Sequence, residues 1–350
     1  TGREMQVVTV YCFHKFNLFE IFRLNESRLI AYLDAVAVAM HPNPYHNHVH
    51  AADVVQRTAT ILSHEIYPQV IDDLQLMSAL IAALIHDLGH PGLSNTFHIA
   101  DGNKLARTFN DQHVLENHAL FTGLELFRED SFNFFEKSRV GKSKVLELRA
   151  NVIKMVLATD MVEHFTIVGQ FRSKLSSGGE RVRRFSSISP LGTNNDVVKH
   201  ERFIEIKSQR DLQALVLMMV VKCADLGHTA LPLTAHKKWV ASLEEEFFAQ
   251  GDAERQSLMP ISALMDREKD RVAGPGQVGF FKFVVVPMYE AFAEVFPDAG
   301  EPLLMYCRQN MQAWQDLGEL ENRKSARDST TAAAVAAAVG RRGSLEERAG

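Results

Sequence analysis

An almost continuous apolar run at residues 74–85 constrains this chain most, because it leads directly into His86, Asp87 and His90. The run is too apolar for a surface helix and too short to cross a bilayer, so it predicts a helix buried on nearly all sides. His86 and His90 share one face if the helix continues to residue 90. Burying an imidazole beside a carboxylate is unfavourable unless something compensates, and a bound metal ion compensates directly. A polar helix terminus is the alternative for one His–Asp pair alone.

A second apolar helix ends in the same residue types. Residues 211–223 are nearly all apolar, and Asp225 and His228 follow them closely. Imidazole nitrogen and carboxylate oxygen are ligands that Zn²⁺ accepts, and a bridging carboxylate suits a second, harder ion. We therefore predict Asp225 as the fourth ligand of a site that also contains His86, Asp87 and a second imidazole from the histidines described next. Two imidazoles and two carboxylates leave coordination positions for water.

Histidines are also frequent in the segment before the first apolar run. Asn43 and Pro44 suit the start of a helix on which His46, His50 and Asp53 share one face. This spacing makes His50 a candidate metal ligand and leaves His46 one turn away as a candidate proton donor. Solvated histidines at a polar helix start are the alternative for this segment alone.

Composition limits the class of protein and its compartment. The 350 residues carry a net charge of −5, which argues against a nucleic-acid binder, since such proteins usually have a basic excess. The three cysteines, Cys12, Cys223 and Cys307, are odd in number and too far apart for a disulfide framework. A reducing, cytoplasmic location fits them. We also expect no membrane span, because no apolar stretch is long enough for one, and no signal peptide at the start.

Weaker signals mark other candidate residues. Glu116 is a candidate for holding a metal-bound water or a histidine N–H, and Thr159 is a polar group that follows a buried helical stripe. Gln277 and Phe280 offer an amide and a flat apolar surface, which a purine needs. Pro287 is predicted to kink or stop the helix that begins at Gln277. The alternatives are a solvated surface position for Glu116, a helix cap for Thr159, and an exposed glutamine beside core phenylalanines for Gln277 and Phe280.

Helical periodicity covers most of the chain, with three exceptions. Residues 5–13 are predicted as a strand by local propensity. Residues 173–200 lack apolar periodicity and are predicted as a long exposed loop. Residues 325–350 include an alanine-rich, low-complexity stretch and are predicted as a flexible tail. Ser186 in the loop and Ser344 in the tail follow the Arg-Arg-x pattern favoured by basophilic kinases, although such short motifs often occur by chance.

Six short motifs occur in a fixed order and together resemble the catalytic domain of class I cyclic nucleotide phosphodiesterases. The resemblance covers roughly residues 10–320, and six ordered motifs make chance agreement negligible. The motifs are Tyr45-His46-Asn47-x-x-His50-Ala-Ala-Asp53, His86-Asp87-Leu88-Gly89-His90-Pro91-Gly92-x-x-Asn95, Leu115-Glu116-Asn117-His118, Ala158-Thr159-Asp160-Met161, Cys223-Ala224-Asp225-Leu226 and Gln277-Val278-Gly279-Phe280.

The resemblance implies an all-α fold, a compact assembly of many helices with a deep pocket over a dinuclear metal site, and so overrides the strand at 5–13. Residues 1–324 would form the catalytic domain and residues 325–350 the tail. The implied cofactors are Zn²⁺ and a second ion, Mg²⁺ or Mn²⁺, to which Asp87 bridges. The implied zinc ligands are His50, His86, Asp87 and Asp225, and the residues that hold the waters of the second ion are His90, Glu116 and Thr159.

The resemblance further implies a general acid, His46, and a purine pocket. Gln277 would hydrogen-bond the base, and Phe280 would stack on it with Leu243 on the opposite face. The implied substrate-binding residues are Tyr45, Met161, His228, Leu243, Phe247, Gln277 and Phe280.

The implied activity is hydrolysis of 3',5'-cyclic nucleotides to 5'-nucleoside monophosphates, which ends cyclic-nucleotide signalling. Metal-activated water would attack the cyclic phosphate, and His46 would protonate the leaving oxygen. His228 stands where cAMP-selective members usually carry asparagine, and His236 where they often carry tyrosine. A histidine donates or accepts according to its tautomer, so we expect cAMP hydrolysis with appreciable cGMP hydrolysis. The alternatives are a phosphohydrolase of the same His–Asp type acting on other nucleoside phosphates, and a non-catalytic helical scaffold that binds nucleotide or a partner.

Overall fold

Helices form all the regular secondary structure that the computed structural model describes. The described residues are 2–176, 195–270, 272 and 274–346. Within them the all-α fold implied by the resemblance is confirmed.

Short turns of other helix types connect some of the α-helices. Met161–Glu163 and Leu226–Ala230 are 3₁₀ turns, and Phe281–Val285 is a π-helical turn. The α-helices in chain order are α1 Glu4–Lys15, α2 Leu18–Phe22, α3 Glu26–Ala39, α4 His48–Ser63, α5 Asp73–Ile85, α6 Asn95–Asp101, α7 Lys104–Thr108, α8 Val114–Leu126, α9 Lys142–Leu157, α10 His164–Leu175, α11 Asn195–Ser208, α12 Arg210–Asp225, α13 Leu233–Gln256, α14 Pro275–Phe280, α15 Val286–Val295 and α16 Pro297–Glu346.

Helix α5 lies at the centre of the core, as its apolar sequence predicts. Every side chain from Leu74 to Ile85 is buried, and the helix packs against α4, α9 and α12. A capping box begins it: the Asp72 carboxylate accepts the N–H of Gln75 at 2.9 Å, and Gln75 Oε1 accepts the N–H of Asp72 at 3.0 Å. A helix covered on all these sides ends inside the protein, so it delivers His86 to a buried position.

Helix α12 is the second core helix and is tied to its neighbours by polar contacts. The buried Lys222 donates from Nζ to the Ala158 carbonyl at 2.9 Å, next to the end of α9. The Tyr289 hydroxyl donates to the Cys223 carbonyl at 2.7 Å. The segment Arg210–Ala230 is long and apolar enough for a membrane span, and 78% of its most apolar window is buried inside the protein. The expected absence of a membrane span therefore stays a prediction.

Residues 5–13 are helical, so the strand predicted from local propensity is wrong. They lie within α1, where Met5, Thr9, Cys12 and Phe13 are buried at helical spacing. This stripe belongs to a helix that packs against α4. Burial of one helical face outweighs the weak strand preference of the β-branched residues that lie between the buried ones.

The start of α4 is later than predicted, because a different residue caps the helix. Asn47 Oδ1 accepts the N–H of Val49 at 2.8 Å and the N–H of His50 at 3.2 Å, which satisfies two donors of the first turn. The helix therefore begins at His48. His46 precedes the helix. The prediction that His46 and His50 share one helical face is therefore wrong.

The end of α5 also differs from the prediction. The helix stops at Ile85, so His86 and His90 do not lie on one helical face. Gly89 in the following turn has φ of +75°, a conformation that favours glycine. A Cβ at that position would also lie 2.9 Å from His118 Nε2. This turn, rather than helical periodicity, brings His90 back toward the site.

The segment after Gln277 does not end at Pro287. A π-helical turn at Phe281–Val285 links α14 to α15, and Pro287 lies in the first turn of α15. The first turn of a helix needs no N–H donor from its residues, so a proline is tolerated there. Of the two predicted effects of Pro287, a kink or a stop, the stop is wrong.

The predicted loop and tail are described only in part. Ser186 lies outside the described residues, while the two ends of the 173–200 segment belong to α10 and α11. The backbone of α16 is helical through residues 325–346 of the predicted tail. The domain boundary at residue 324 stays a prediction.

Candidate metal and catalytic centre

Four side chains from three parts of the chain converge at the buried ends of α5 and α12. His50 lies in the first turn of α4, His86 and Asp87 follow α5, and Asp225 ends α12. His86 Nε2 is 3.3 Å from His50 Nε2, 2.9 Å from Asp87 Oδ2 and 3.3 Å from Asp225 Oδ1. His50 Nε2 is 3.4 Å from Asp87 Oδ2 and 3.2 Å from Asp225 Oδ1. The structure thus brings together all four predicted metal ligands.

The spacing of these ligand atoms fits a single metal ion. With metal–ligand bonds of about 2.1 Å, two ligand atoms lie about 3.0 Å apart at a right angle and about 3.4 Å apart at a tetrahedral angle. The five separations that involve an imidazole run from 2.9 to 3.4 Å, and all four ligand atoms lie within 4.8 Å of one another. The residues present therefore fit a divalent cation bound among them.

Hydrogen bonding prepares His86 to act as a ligand. Its Nδ1 lies 2.9 Å from the carbonyl oxygen of Ala83, which can only accept, so Nδ1 carries the proton. The lone pair of neutral His86 then resides on Nε2, the atom that faces the cluster. Such a backbone partner for the second ring nitrogen is the usual support of a metal-binding histidine.

The electrostatics of the cluster favour a cation. Burial disfavours the charged form of all four groups, but the attraction between them outweighs it. The pKa values of His50 and His86 are therefore raised, and those of Asp87 and Asp225 are lowered. Both carboxylates stay ionised in a buried site, which a divalent ion would stabilise further.

His46 lies beside the cluster without belonging to it. Its Nε2 is 3.9 Å from Asp87 Oδ2. Its ring stacks on His90, with ring centroids 3.9 Å apart. On the other side, His46 Nδ1 hydrogen-bonds Glu246 Oε1. Because an ionised carboxylate only accepts, His46 holds a proton on Nδ1 and directs Nε2 toward the cluster.

Glu246 holds this arrangement and was missed by the sequence analysis. Its Oε2 accepts the backbone N–H groups of Tyr45 at 3.0 Å and of His46 at 3.1 Å. Burial raises the pKa of Glu246, but the hydrogen bond from His46 outweighs it, and the pKa is lowered overall. Residues 244–246 are three consecutive glutamates, which indicate a solvated helix face. No local signal distinguishes the one that is buried.

Glu246→Gln is expected to lower kcat for the cyclic-nucleotide hydrolysis implied by the resemblance about 10- to 100-fold. The amide cannot stabilise a protonated His46 ring as a carboxylate does. The loss should be much smaller for a phosphodiester whose leaving group needs no proton, which a purely structural role would not produce. Steady-state rates on both substrates test this. Glu245→Gln is the matched control, since its side chain is 62% exposed. Equal loss in both variants, or equal loss on both substrates, would contradict a positioning role for Glu246.

His90 lies near Asp87 of the cluster, and the backbone fixes the hydrogen-bonding roles of both His90 and Thr159. The Gly92 N–H donates to His90 Nδ1 at 3.0 Å, so neutral His90 carries its proton on Nε2. Burial and the neighbouring His46 lower the pKa of His90 to about 3. The Thr159 hydroxyl donates to the Val156 carbonyl at 2.7 Å and keeps its lone pairs as acceptors.

Glu116 belongs to a second acidic group, two of whose members the sequence analysis did not single out. Glu116, His113 and Asp160 offer ligand atoms within 4.8 Å of one another. Asn95 Nδ2 donates to Glu116 Oε2 at 3.0 Å, and His113 Nδ1 lies 2.8 Å from Asp160 Oδ2. Burial and the Asp160 carboxylate raise the pKa of Glu116 to about 7. This group can orient water or help to hold a second cation.

The predicted substrate-binding residues differ in how they relate to the cluster. The buried Tyr45 ring borders it, with its centroid 4.8 Å from that of His50, and the His228 ring packs against Tyr45 at 5.8 Å between centroids. Gln277 is buried, and its Oε1 has no hydrogen-bond partner among the described residues. In the described part of the chain, no hydrogen bond or ring contact links the remaining predicted residues to the cluster. These are Met161, Leu243, Phe247 and Phe280.

Comparisons with known proteins agree with one another. The family model described as 3'5'-cyclic nucleotide phosphodiesterase matches residues 45–305. The 3',5'-cyclic-AMP phosphodiesterase 4C of Rattus norvegicus is 33% identical over 304 residues, which cover 86% of this chain and 53% of that protein. The probable 3',5'-cyclic-AMP phosphodiesterase pde-4 of Caenorhabditis elegans is 30% identical over 315 residues, which cover 90% of this chain and 43% of that protein. The chain thus spans about half the length of these relatives.

A solved structure has the same fold. The phosphodiesterase domain of the RhoPDE fusion protein from the choanoflagellate Salpingoeca rosetta matches with a TM-score of 0.80 and 29% sequence identity. The match covers 92% of this chain and 93% of that domain. The likeness therefore extends over nearly the whole length of both chains.

Proposed function

The chain belongs to the 3'5'-cyclic nucleotide phosphodiesterase family, and on that premise we propose that it hydrolyses 3',5'-cyclic nucleotides to 5'-nucleoside monophosphates, which ends their signal. One observation carries the proposal. Each of two imidazoles lies 2.9 to 3.4 Å from both of two carboxylates, all four ligand atoms lie within 4.8 Å of one another, and a third imidazole, His46, lies 3.9 Å from Asp87. Cation ligands beside a proton donor are what cleavage of a phosphodiester requires.

The metal assignment follows the chemistry of the donor atoms. We propose Zn²⁺ among His50, His86, Asp87 and Asp225, since a mixed set of imidazole and carboxylate ligands suits that ion. The Asp87 carboxylate would also be available to a second, harder ion, Mg²⁺ or Mn²⁺. Bound there, such ions would supply charge neutralisation at the phosphate and a lowered pKa of bound water.

The remaining residues of the site handle protons and orient water. His46 would donate the proton from Nε2 to the leaving 3' oxygen, while Glu246 keeps the Nδ1 proton in place and stabilises the charged ring. His90 offers an N–H on Nε2, and Thr159 and Glu116 offer oxygen acceptors. These three would fix the orientation of the water that attacks the phosphorus.

The base would be recognised at Gln277. A buried acceptor without a partner costs about 1–3 kcal/mol, and the edge of a purine would satisfy the Oε1 of Gln277. Phe280 and Leu243 would clamp the ring faces, and Phe247 and Met161 would shape the pocket. We propose cAMP as substrate, with appreciable hydrolysis of cGMP.

The deciding experiment measures hydrolysis of cAMP and cGMP by the purified chain before and after chelation, with Zn²⁺, Mg²⁺ and Mn²⁺ added back singly. Activity should vanish on chelation and return most fully when zinc and one harder ion are both present. Nucleoside mono-, di- and triphosphates serve as rival substrates. Preference for these would favour a different phosphohydrolase, and absence of bound metal in elemental analysis would favour a non-catalytic scaffold.

Two further proposals concern the cell. The three cysteines are buried and unbonded, which supports a reducing, cytoplasmic location. Ser186 and Ser344 are proposed substrates of an arginine-directed kinase, on the strength of the arginines that precede them. Mass spectrometry of the kinase-treated chain tests the second proposal, and two unmodified serines would refute it.

A further inference from the structure

Three aromatic side chains form a hydrogen-bonded row beside the candidate site. Trp314 Nε1, on α16, lies 2.9 Å from His236 Nε2, on α13. His236 Nδ1 in turn lies 3.1 Å from His228 Nδ1, in the 3₁₀ turn after α12. All three side chains are buried, at 5%, 0% and 4% exposure respectively. The row therefore runs from α16 to His228, which packs against Tyr45 beside the metal cluster.

The direction of hydrogen bonding along this row follows from its first member. An indole N–H can only donate, so His236 Nε2 must accept and carries no proton. Neutral His236 then holds its proton on Nδ1, 3.1 Å from His228 Nδ1, and the His228 backbone carbonyl is a second acceptor for that N–H. Two ring N–H groups facing each other at that distance would repel, so His228 Nδ1 accepts and the proton of His228 resides on Nε2. A second proton on either ring would set two donors against each other within 3.1 Å.

Other contacts keep the row in place. The His228 and His236 rings are within 16° of parallel with their centroids 5.2 Å apart, which suits an in-plane hydrogen bond between them, and Phe281 packs edge-on against His236 at 5.4 Å between centroids. Burial lowers the pKa of His236 to about 4 and also lowers the pKa of His228. Both rings are therefore neutral at pH 7, in agreement with the hydrogen-bonding pattern.

We propose that Trp314 and His236 hold His228 in its Nε2–H tautomer, so that His228 presents a hydrogen-bond donor and no acceptor to the purine. The proposal rests on the proposed function and on the prediction that His228 is one of the substrate-binding residues. It makes Trp314 and His236 positioning residues that act through His228 without touching the nucleotide.

This assignment has a definite consequence for the choice of base. Adenine and guanine both offer N7 as an acceptor, whereas the substituent on carbon 6 is a donor amino group in adenine and an acceptor oxygen in guanine. A fixed donor at His228 pairs with N7 of either purine or with the guanine oxygen, and never with the adenine amino group. His228 therefore gives no preference for cAMP, and the protein should accept cGMP as well.

The test combines nitrogen NMR with rate ratios. In protein with ¹⁵N-labelled histidine, the signals lost in His228→Asn identify those of His228. Wild-type protein should show a protonated Nε2 and an unprotonated Nδ1 at that residue. Trp314→Phe removes the donor and should give a mixture of tautomers. His228→Asn supplies an acceptor as well as a donor and should raise the ratio of kcat/KM for cAMP to that for cGMP about fivefold.

A matched control separates tautomer control from loosening of the turn. Asn310, also on α16, donates from Nδ2 to the Thr229 and Leu231 carbonyls at 2.8 Å each, so it holds the same turn without contacting either histidine. Asn310→Leu should lower stability and leave the His228 spectrum unchanged. A proton on Nδ1 of His228 in wild type, or identical spectra in wild type and Trp314→Phe, would overturn the proposal. Absence of hydrolysis of both nucleotides would instead refute the proposed function, since the spectra do not depend on activity.

Discussion

Asp225→Asn is expected to remove bound metal from the protein and to lower kcat for cyclic-nucleotide hydrolysis by about 10³-fold or more, because a ligand and its negative charge are both lost. Asp225 Oδ1 lies 3.2 Å from His50 Nε2 and 3.3 Å from His86 Nε2, within the span of a single ion. Asparagine keeps the shape of the side chain, so the fold should be retained. Elemental analysis and steady-state kinetics on the same preparation measure both effects.

Asp211→Asn is the control for this substitution, since it removes a carboxylate from the exposed start of the same helix. It should leave metal content and rate unchanged. Full metal content in Asp225→Asn together with wild-type kcat would show that Asp225 is not a ligand. Loss of metal in both variants would point instead to damage to α12.

His46→Gln is expected to lower kcat for cAMP about 10²- to 10⁴-fold while the metal content stays at the wild-type level, because only the proton donor is removed. KM should change little, since His46 would act on the leaving oxygen rather than on binding. His48→Gln, two residues away with a side chain 41% exposed, is the control and should behave as wild type.

A second substrate makes this prediction sharper. A phosphodiester that releases a nitrophenolate needs no proton on its leaving group, so His46→Gln should lose less than about tenfold of its activity on that compound. If the variant lost equal activity on both substrates, His46 would serve the metal centre rather than the leaving group. Loss of metal from the variant would lead to the same conclusion.

The sequence analysis located the four-residue cluster well because three of the four predicted ligands, His86, Asp87 and Asp225, adjoin helices whose apolar character is unmistakable. Two buried helices ending in His86-Asp87 and in Asp225 must deposit those groups inside the protein. The tertiary structure then needs only to bring two helix ends and the first turn of α4 together. The convergence of four ligands was therefore predictable from local patterns.

Other parts of the site were not predictable in this way. Glu246 is separated from His46 by 200 positions along the chain, and nothing near it distinguishes it from Glu244 and Glu245. His90 reaches the site through a turn at Gly89 rather than through helical spacing. Long-range packing and tight turns decide such positions, and neither leaves a periodic signal in the sequence.

The same limit explains the errors in the fold. The strand preference of residues 5–13 was overridden because α1 buries one helical stripe against α4. The start of α4 was misplaced because Asn47, rather than the preceding Asn43-Pro44 pair, caps the helix. Local preference identifies candidate boundaries, and hydrogen bonding in the folded state selects among them.

The short 3₁₀ turn that carries His228 lies between a predicted metal ligand and the helix that holds His228 in place. One end of the turn joins Asp225, which has no freedom to vary if a metal is to bind. The other end is attached to α16 by Asn310, and Trp314 on the same helix reaches His228 through His236. If His228 contacts the base as proposed, substitutions on α16 would change nucleotide preference without altering any of the four residues of the cluster.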